Sequence, residues 1–319
     1  MKFELDDQQR DFASSLDGAL RAADVPAAVR AWAAGDTGPG RKVWSTLAEL
    51  GVTALMVPER HDGIEAHPVD LVVAAERLGY WGVPGPVTES IAVAPILLAD
   101  DERASGLAAG ELIATVAMPP RVPRAVDADT AGLILVAGDG EVHDGAAGAE
   151  HASVDPARRL FDVTSSGDAA PADTARAFEF GALATAAQLV GAGQAMLDSS
   201  VEYAKQRSQF GRVIGSYQAI KHKLADVYIA VELARPLVYG AALSLADGSP
   251  DTARDVSAAA AAAADAALLS ARSSLQTHGA IGFTQEHDLS LLLLRVQALR
   301  SSWGDATWHR RRVLEELTA

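Results

Sequence analysis

A chain of 319 residues, about half of them apolar, can bury a substantial core in one large or two to three small domains. Its formal charge of -15 repels phosphate backbones and argues against general nucleic-acid binding; Lys221, Lys223 and Arg310-Arg311-Arg312 are only local basic clusters. The absence of cysteine excludes disulfides, thiol catalysis and cysteine-ligated metals, and fits a cytoplasmic protein.

Three regions differ in texture, and the reading takes them as an N-terminal helical domain (1–104), a reduced β domain (105–176) and a C-terminal helical bundle (177–319). The N-terminus, Met1 to Gln8, is acidic and lacks a signal-peptide apolar stretch. Helical patterns cover Asp6 to Ala23, Arg41 to Leu50, Pro68 to Leu78 and Val87 to Leu98. Leu50 to Gly63 interrupts them with a short extended apolar run and a Gly/Pro turn. In the second region, Leu112 to Ala117, Gly132 to Val136, Glu141 to His143 and Arg159 to Val163 read as short strands between turns rich in Gly, Asp and Pro.

The third region is the clearest. Leu183, Ala187, Val190, Gln194, Leu197, Val201 and Ala204 form one helical stripe, and Ile220, Leu224, Val227, Val231, Ala234 and Val238 form the next. Ser249 as N-cap and Pro250 at the first position start an alanine-rich helix. Further helices run over Asp288 to Ser302 and Ala306 to Leu317. Long antiparallel helices with short connections imply a four-helix-type bundle. No stretch approaches the roughly 20 uninterrupted apolar residues of a membrane span.

Two loops carry chemistry-bearing residues. Arg207-Ser208-Gln209-Phe210-Gly211 leads through Gly215 to Gln218-Ala219-Ile220-Lys221-His222. Arg207 offers a planar fork of donors for phosphate oxygens, the two glycines permit close backbone approach, and Phe210 supplies a flat apolar face. Taken alone, the same residues also suit a glycine-capped helix–helix turn with a surface arginine. The second loop, Gln276-Thr277-His278-Gly279-Ala280-Ile281-Gly282-Phe283, taken alone reads as a helix C-cap and turn. No pair of histidines has metal-ligand spacing, and Trp303 and Trp308 around Gly304 suit a core or a subunit contact.

Read as whole strings, both loops resemble the signatures of the acyl-CoA dehydrogenase family of flavoproteins. The resemblance is strong in the C-terminal region and weak in the middle. It implies a mainly α fold with a small β domain, an FAD cofactor, an acyl-CoA substrate and an oligomer. It also implies that Arg207, Gln209, Phe210, Gln218, Gln276 and Gly279 are FAD-binding residues, the second loop reaching the diphosphate of a neighbouring subunit. Ala280 stands where the family has a second glycine.

Such enzymes remove a proton next to a thioester while a hydride leaves for the flavin, which needs a buried carboxylate base. In many relatives that glutamate lies nine residues beyond the arginine matching Arg295, which here is Gly304. Others place it on the helix before the first signature, where this chain has Gly181. Asp305 and Glu179 are the nearest acids and the only weak candidates for a displaced base. The Thr-Glu-Pro and Trp-Ile-Thr-Asn strings that line the flavin ring in relatives are also missing; Ala117-Met118-Pro119-Pro120 and Asp155-Pro156-Ala157-Arg158-Arg159-Leu160 stand there instead. The leading expectation is therefore a base-less smaller subunit of a heteromer with a larger acyl-CoA dehydrogenase-like chain, acting on a bulky acyl-CoA of lipid or steroid origin. A self-sufficient homo-oligomeric flavoprotein and a non-enzymatic scaffold of the same fold are the alternatives.

Overall fold

Asp6 opens the first helix, α1 (Asp7–Ala22), through a reciprocal cap. Its carboxylate accepts the Gln9 N–H at 2.8 Å while the Gln9 side chain returns to the Asp6 N–H, satisfying two otherwise orphaned donors. The computed structural model describes residues 4–318. A second helix, α2 (Val25–Ala33), follows where the sequence reading assigned none. It starts on a left-handed Asp24 whose side chain accepts the Ala27 N–H, and it buries Val25, Val29 and Trp32. At nine residues it is too short for its periodicity to stand out. Helix α3 (Gly38–Glu49) then leads to the segment expected as an extended run. There the chain instead makes two 3-10 turns, Val52–Ala54 and Glu59–His61. Gly51 adopts a positive φ of 77°, and the backbone from Ala54 to Val57 bonds to Ile64, Glu65 and Ala66. Burial from both sides, not strand pairing, accounts for the apolar run.

Helix α4 (Pro68–Trp81) ends at left-handed Gly82. The next segment is π-helical over Thr88–Val93, runs directly into α5 (Ala94–Leu97), and is buried throughout, Glu89 included. A short α6 (Ala104–Ala108) precedes the sheet. Strands β1 (Ala114–Ala117), β2 (Ala125–Val126), β3 (Leu133–Gly138), β4 (Glu141–His151) and β5 (Leu160–Pro171) lie in the order β1-β3-β4-β5-β2. Only the β1–β3 pair is parallel. Asp139 and Gly140, both at positive φ, make the two-residue turn between β3 and β4, as the native twist of a hairpin prefers. Strands β4 and β5 are far longer than the sequence reading drew them. Their outer halves are rich in Gly, Ala and Ser and mostly exposed, so pairing with each other, not burial, defines them.

The bundle is built on α7 (Thr174–Gln206), which is joined by a two-stranded hairpin (β6, Ser208–Gln209; β7, Arg212–Val213) to α8 (Gln218–Ala246). Helix α9 (Thr252–His278) returns along α7, followed by α10 (Leu289–Leu299) and α11 (Ala306–Thr318). Helix α9 begins two residues later than expected. Thr252 donates its hydroxyl to the Ser244 and Ser249 carbonyls, and Ser249 accepts the Asp251 N–H, so Ser249 and Pro250 belong to the turn. Small residues let the helices approach closely: Ser270 and Ser274 of α9 donate to the Gly193 and Met196 carbonyls of α7 at 2.7 and 3.0 Å. A Cβ on Gly191 would lie 1.8 Å from the Glu76 carbonyl oxygen of α4, so that crossing requires glycine.

Helices α7 and α8 are each long and apolar enough to cross a membrane, although their apolar residues do not form one unbroken run. The most apolar stretch of α7 is 94% buried within the protein. Helix α8 instead presents Ile229, Leu233 and Leu237, at i, i+4 and i+8, on an exposed apolar stripe. One connected apolar core runs from Leu16 of α1 through the sheet to Trp303, beside a small cluster of Ala125, Ala128 and Phe161 on the sheet.

Candidate functional site

The ends of α7 and α9 lie side by side, because the Tyr203 ring stacks on His278 with centroids 4.4 Å apart. Both signature loops therefore sit at one end of the bundle. In the first, Ser208 pairs with Val213 and Gln209 with Arg212. The turn places Phe210 (φ 51°) and Gly211 (φ 80°) in left-handed conformations, which is costly for a bulky aromatic residue. That conformation leaves the Phe210 ring 92% exposed. Tyr217 donates its hydroxyl to the Gln209 carbonyl, and the Arg212 guanidinium lies 4.0 Å over the Tyr217 ring. The Gln209 side chain donates to the Ser208 carbonyl. Arg207 is exposed and has no carboxylate partner among the described residues. Gln218, the first residue of α8, is also exposed.

In the second loop Gln276 lies on the last turn of α9 and is exposed, as are Gly279 and Ala280. Gly279 has φ 67°, and nothing lies within 4 Å of the place a Cβ would take. Gly282 differs: a Cβ there would meet His278 Cβ at 2.8 Å, so its role is packing. His278 donates from Nδ1 to the Ser274 carbonyl at 2.9 Å, and burial pushes its pKa down. It is a packed neutral ring. Ile281 and Phe283 add exposed apolar surface at this end.

Gly181 and Gly304, where the family resemblance leads one to expect a base in relatives, are closed by aromatic rings. A Cβ on Gly181 would meet three atoms of the Trp303 ring at 2.4, 2.5 and 2.6 Å. Trp303 is 1% exposed, and its Nε1 donates to Glu89 Oε1 at 3.2 Å. Gly304 has φ 99°, and a Cβ there would meet His309 Nε2 at 2.7 Å and the Trp308 ring at 2.8 Å. Phe178 completes the cluster against Trp303 and Trp308. His309 faces the Trp303 carbonyl at 3.0 Å from Nε2 and the Ser257 hydroxyl at 3.2 Å from Nδ1. A carbonyl only accepts, so Nε2 carries the proton. Burial lowers the pKa of His309 to about 4. Alongside, Thr88 and Thr185 share a hydrogen bond and Gln188 donates to Thr88 at 2.7 Å, so polar pairs tie the π-helical segment to α7.

The two acids nearest these positions have other partners. Glu179 is buried and bound through both oxygens by Arg312. Burial raises its pKa while the Arg312 hydrogen bond and charge oppose the rise. Asp305 is exposed and accepts the Thr307 and Trp308 N–H groups at 2.8 and 2.9 Å. Those backbone donors at the start of α11 hold its carboxyl below the usual range. Sequence reasoning missed Glu89, which is 1% exposed and sits in a polar trio, Thr88-Glu89-Ser90, that matches no motif. Among the described residues no group of three His, Asp or Glu side chains is placed to hold a metal ion.

The Asp155-Pro156-Ala157-Arg158-Arg159 string turns into the interior. Asp155 accepts the Ala157 N–H and the Arg295 Nε at 2.5 Å, and Arg295 Nη1 donates to the Val83 carbonyl at 2.7 Å. This buried pair ties the sheet, α10 and the end of α4 together.

The acyl-CoA dehydrogenase N-terminal domain matches residues 6–102 and the C-terminal domain matches residues 172–318. Over 283 residues, 85% of each chain, the protein is 34% identical to acyl-CoA dehydrogenase IpdE2 of Mycobacterium tuberculosis. The chain belongs to the acyl-CoA dehydrogenase family. It is thus a member of a family of FAD-dependent oxidoreductases. IpdE2 of Mycolicibacterium smegmatis is 32% identical over 92% of this chain and 93% of its own. Among solved structures, butyryl-CoA dehydrogenase from Megasphaera elsdenii superimposes with a TM-score of 0.86 at 20% identity over 100% of both chains. The ChsE4-ChsE5 complex from Mycobacterium tuberculosis gives 0.83 at 21% identity, over 100% of this chain and 99% of that one. Those two likenesses are of fold. Within the acyl-CoA dehydrogenase framework, the two signature loops are open, and Gly181 and Gly304 are hemmed in by aromatic rings.

Proposed function

We propose that this chain is the base-less smaller subunit of a heteromeric acyl-CoA dehydrogenase, assembled with a larger chain of the same family. The observation that carries the reading is the Trp303 ring in the space a side chain at Gly181 would need, with Gly304 closed by His309 and Trp308. Asp305, committed to a helix start, and Glu179, committed to Arg312, lack the freedom of a base. This disfavours the self-sufficient enzyme. The uncommitted Arg207 guanidinium, the exposed face of Phe210 and the open backbone at Gly279 suit a diphosphate and a flat ring system, as FAD provides. That fit disfavours a pure scaffold.

In this reading Arg207, Gln209, Phe210 and Gln218 hold FAD from one side, and Gln276 and Gly279 reach the diphosphate of a cofactor bound across the subunit boundary. FAD, when bound, supplies the hydride acceptor. The larger subunit supplies the base, and the α8 stripe of Ile229, Leu233 and Leu237 contributes to the contact between chains. The association of ChsE4 with ChsE5 in a complex of the same fold and the similarity to a steroid ACAD, Tcur3481-Tcur3483, with TM-score 0.86 and 19% identity support a heteromer acting on a bulky acyl-CoA. A cytoplasmic location belongs to the same reading.

The test is co-expression with an acyl-CoA dehydrogenase-like reading frame beside this one. The expected result is a two-chain complex with a flavin absorption band and acyl-CoA-dependent dye reduction, while this chain alone is colourless and inactive. Arg207→Gln lowers flavin occupancy of the complex. A stoichiometric flavin and turnover in this chain alone overturn the proposal.

A further inference from the structure

A cavity of about 280 Å³ lies between the sheet and the end of α10, near the lower limit of small-molecule sites. Its charged lining consists of Arg121, Arg124 and Arg158 against the single acid Glu89. Arg124 is paired with Asp162 at 3.3 Å, and Arg121 lies 4.6 Å over the Trp308 ring. Arg158 is different. It is 5% exposed, yet its guanidinium makes no hydrogen bond among the described residues. Its nearest acid, Glu89 Oε1, is 4.0 Å away and already accepts from Trp303. The unbonded donors of Arg158 therefore face the cavity, and a guanidinium this enclosed is ordinarily paired. The two other features of the lining are an apolar wall of Val122, Val126, Leu160 and Ala298 and a polar rim that includes Ser302.

We propose that this cavity binds a small carboxylate with an apolar body, its carboxylate on the Arg158 guanidinium and its hydrocarbon part against Val122, Leu160 and Ala298. The planar fork of Arg158 matches a carboxylate in two parallel hydrogen bonds. The apolar wall has no use for a fully solvated inorganic anion. A second carboxylate would have to lie against the apolar wall or beside Glu89, so the site prefers a monocarboxylate or a hydroxy acid to a dicarboxylate. This site lies apart from the exposed loops that face FAD and goes beyond the subunit role proposed above.

The experiment is calorimetric titration of the purified protein, with its partner subunit where the two co-purify, in a chloride buffer. The probes are hexanoate, 6-hydroxyhexanoate, adipate and inorganic phosphate. Saturable binding of hexanoate or the hydroxy acid, tighter than adipate and phosphate, is expected. Arg158→Gln weakens it about tenfold or more, the loss of a charge-assisted pair. Ala298→Phe fills the cavity and abolishes binding with Arg158 intact, which keeps the test decisive where the arginine variant fails to fold. Absence of saturable carboxylate binding, phosphate binding as tightly as hexanoate, or hexanoate binding unchanged by Ala298→Phe each overturns the proposal.

Discussion

Replacing Gly181 by alanine adds one methyl group at a position where the family resemblance implies a base in some relatives. The geometry predicts that even this smallest step is destabilising. The added carbon meets three Trp303 ring atoms at 2.4 to 2.6 Å, well inside ordinary carbon–carbon contact of about 3.5 Å or more. Trp303 has little room to retreat, since its ring packs against Phe178, its Nε1 is held by Glu89, and it is 1% exposed. Overpacking of this kind costs about 1–3 kcal/mol. The cost depends on the tryptophan, so a double-mutant cycle isolates it. In a Trp303→Leu background, itself less stable by about 3 kcal/mol for the lost ring, the penalty of Gly181→Ala falls to near zero. Urea denaturation of the four proteins, followed by far-UV circular dichroism, measures the coupling. If Gly181→Ala is as stable as the parent, or its cost is the same with leucine at 303, the claim that the tryptophan closes the base position is wrong. The same closure explains why restoring glutamate at this position is expected to yield an unstable protein instead of a revived enzyme.

Three further outcomes follow from particular contacts. Arg295→Met strands the buried Asp155 carboxylate and lowers stability by about 3–5 kcal/mol, while Arg295→Met with Asp155→Asn recovers part of the loss in denaturation midpoints. Asp127 and His309 set opposing pH slopes. Burial raises Asp127 from 3.8 to about 6, so the folded state holds its proton longer and stability falls as pH rises from about 4 to 6. Burial lowers His309 from 6.5 to about 4, so stability rises with pH over about 4 to 6.5. Each slope amounts to about 3 kcal/mol at most, and in the parent they largely cancel. Asp127→Asn therefore unmasks a rise in urea midpoint between pH 4.5 and 6.5; a profile parallel to the parent's counts against it. Leu233→Glu on the exposed stripe of α8 changes stability by about 0.5 kcal/mol or less, yet disrupts assembly with the larger subunit in size-exclusion chromatography; an unaltered complex refutes a role for that stripe.

The sequence by itself determined the family, the α-rich fold and the existence of the two signature loops. Local patterns sufficed there: the stripes of α7 and α8, the glycines at tight turns, and the ordered string from Arg207 to Gln218 are all properties of neighbours in the chain. The family resemblance also implied that Gly181 and Gly304 stand where relatives place a carboxylate. Why those positions cannot simply be refilled was decided only by tertiary structure, because Trp303 reaches Gly181 across a separation of more than a hundred residues and Gly304 is hemmed in by His309 and Trp308. The short 3-10 turn at Val52 and the delayed start of α9 at Thr252 likewise follow from remote or turn-specific hydrogen bonds that apolar periodicity does not encode. Glu89 and Arg158 stayed hidden for the same reason. An acid between Thr88 and Ser90 and an arginine in a loop have no signature of their own, and their meaning comes from the cavity that packing of the sheet against α10 creates.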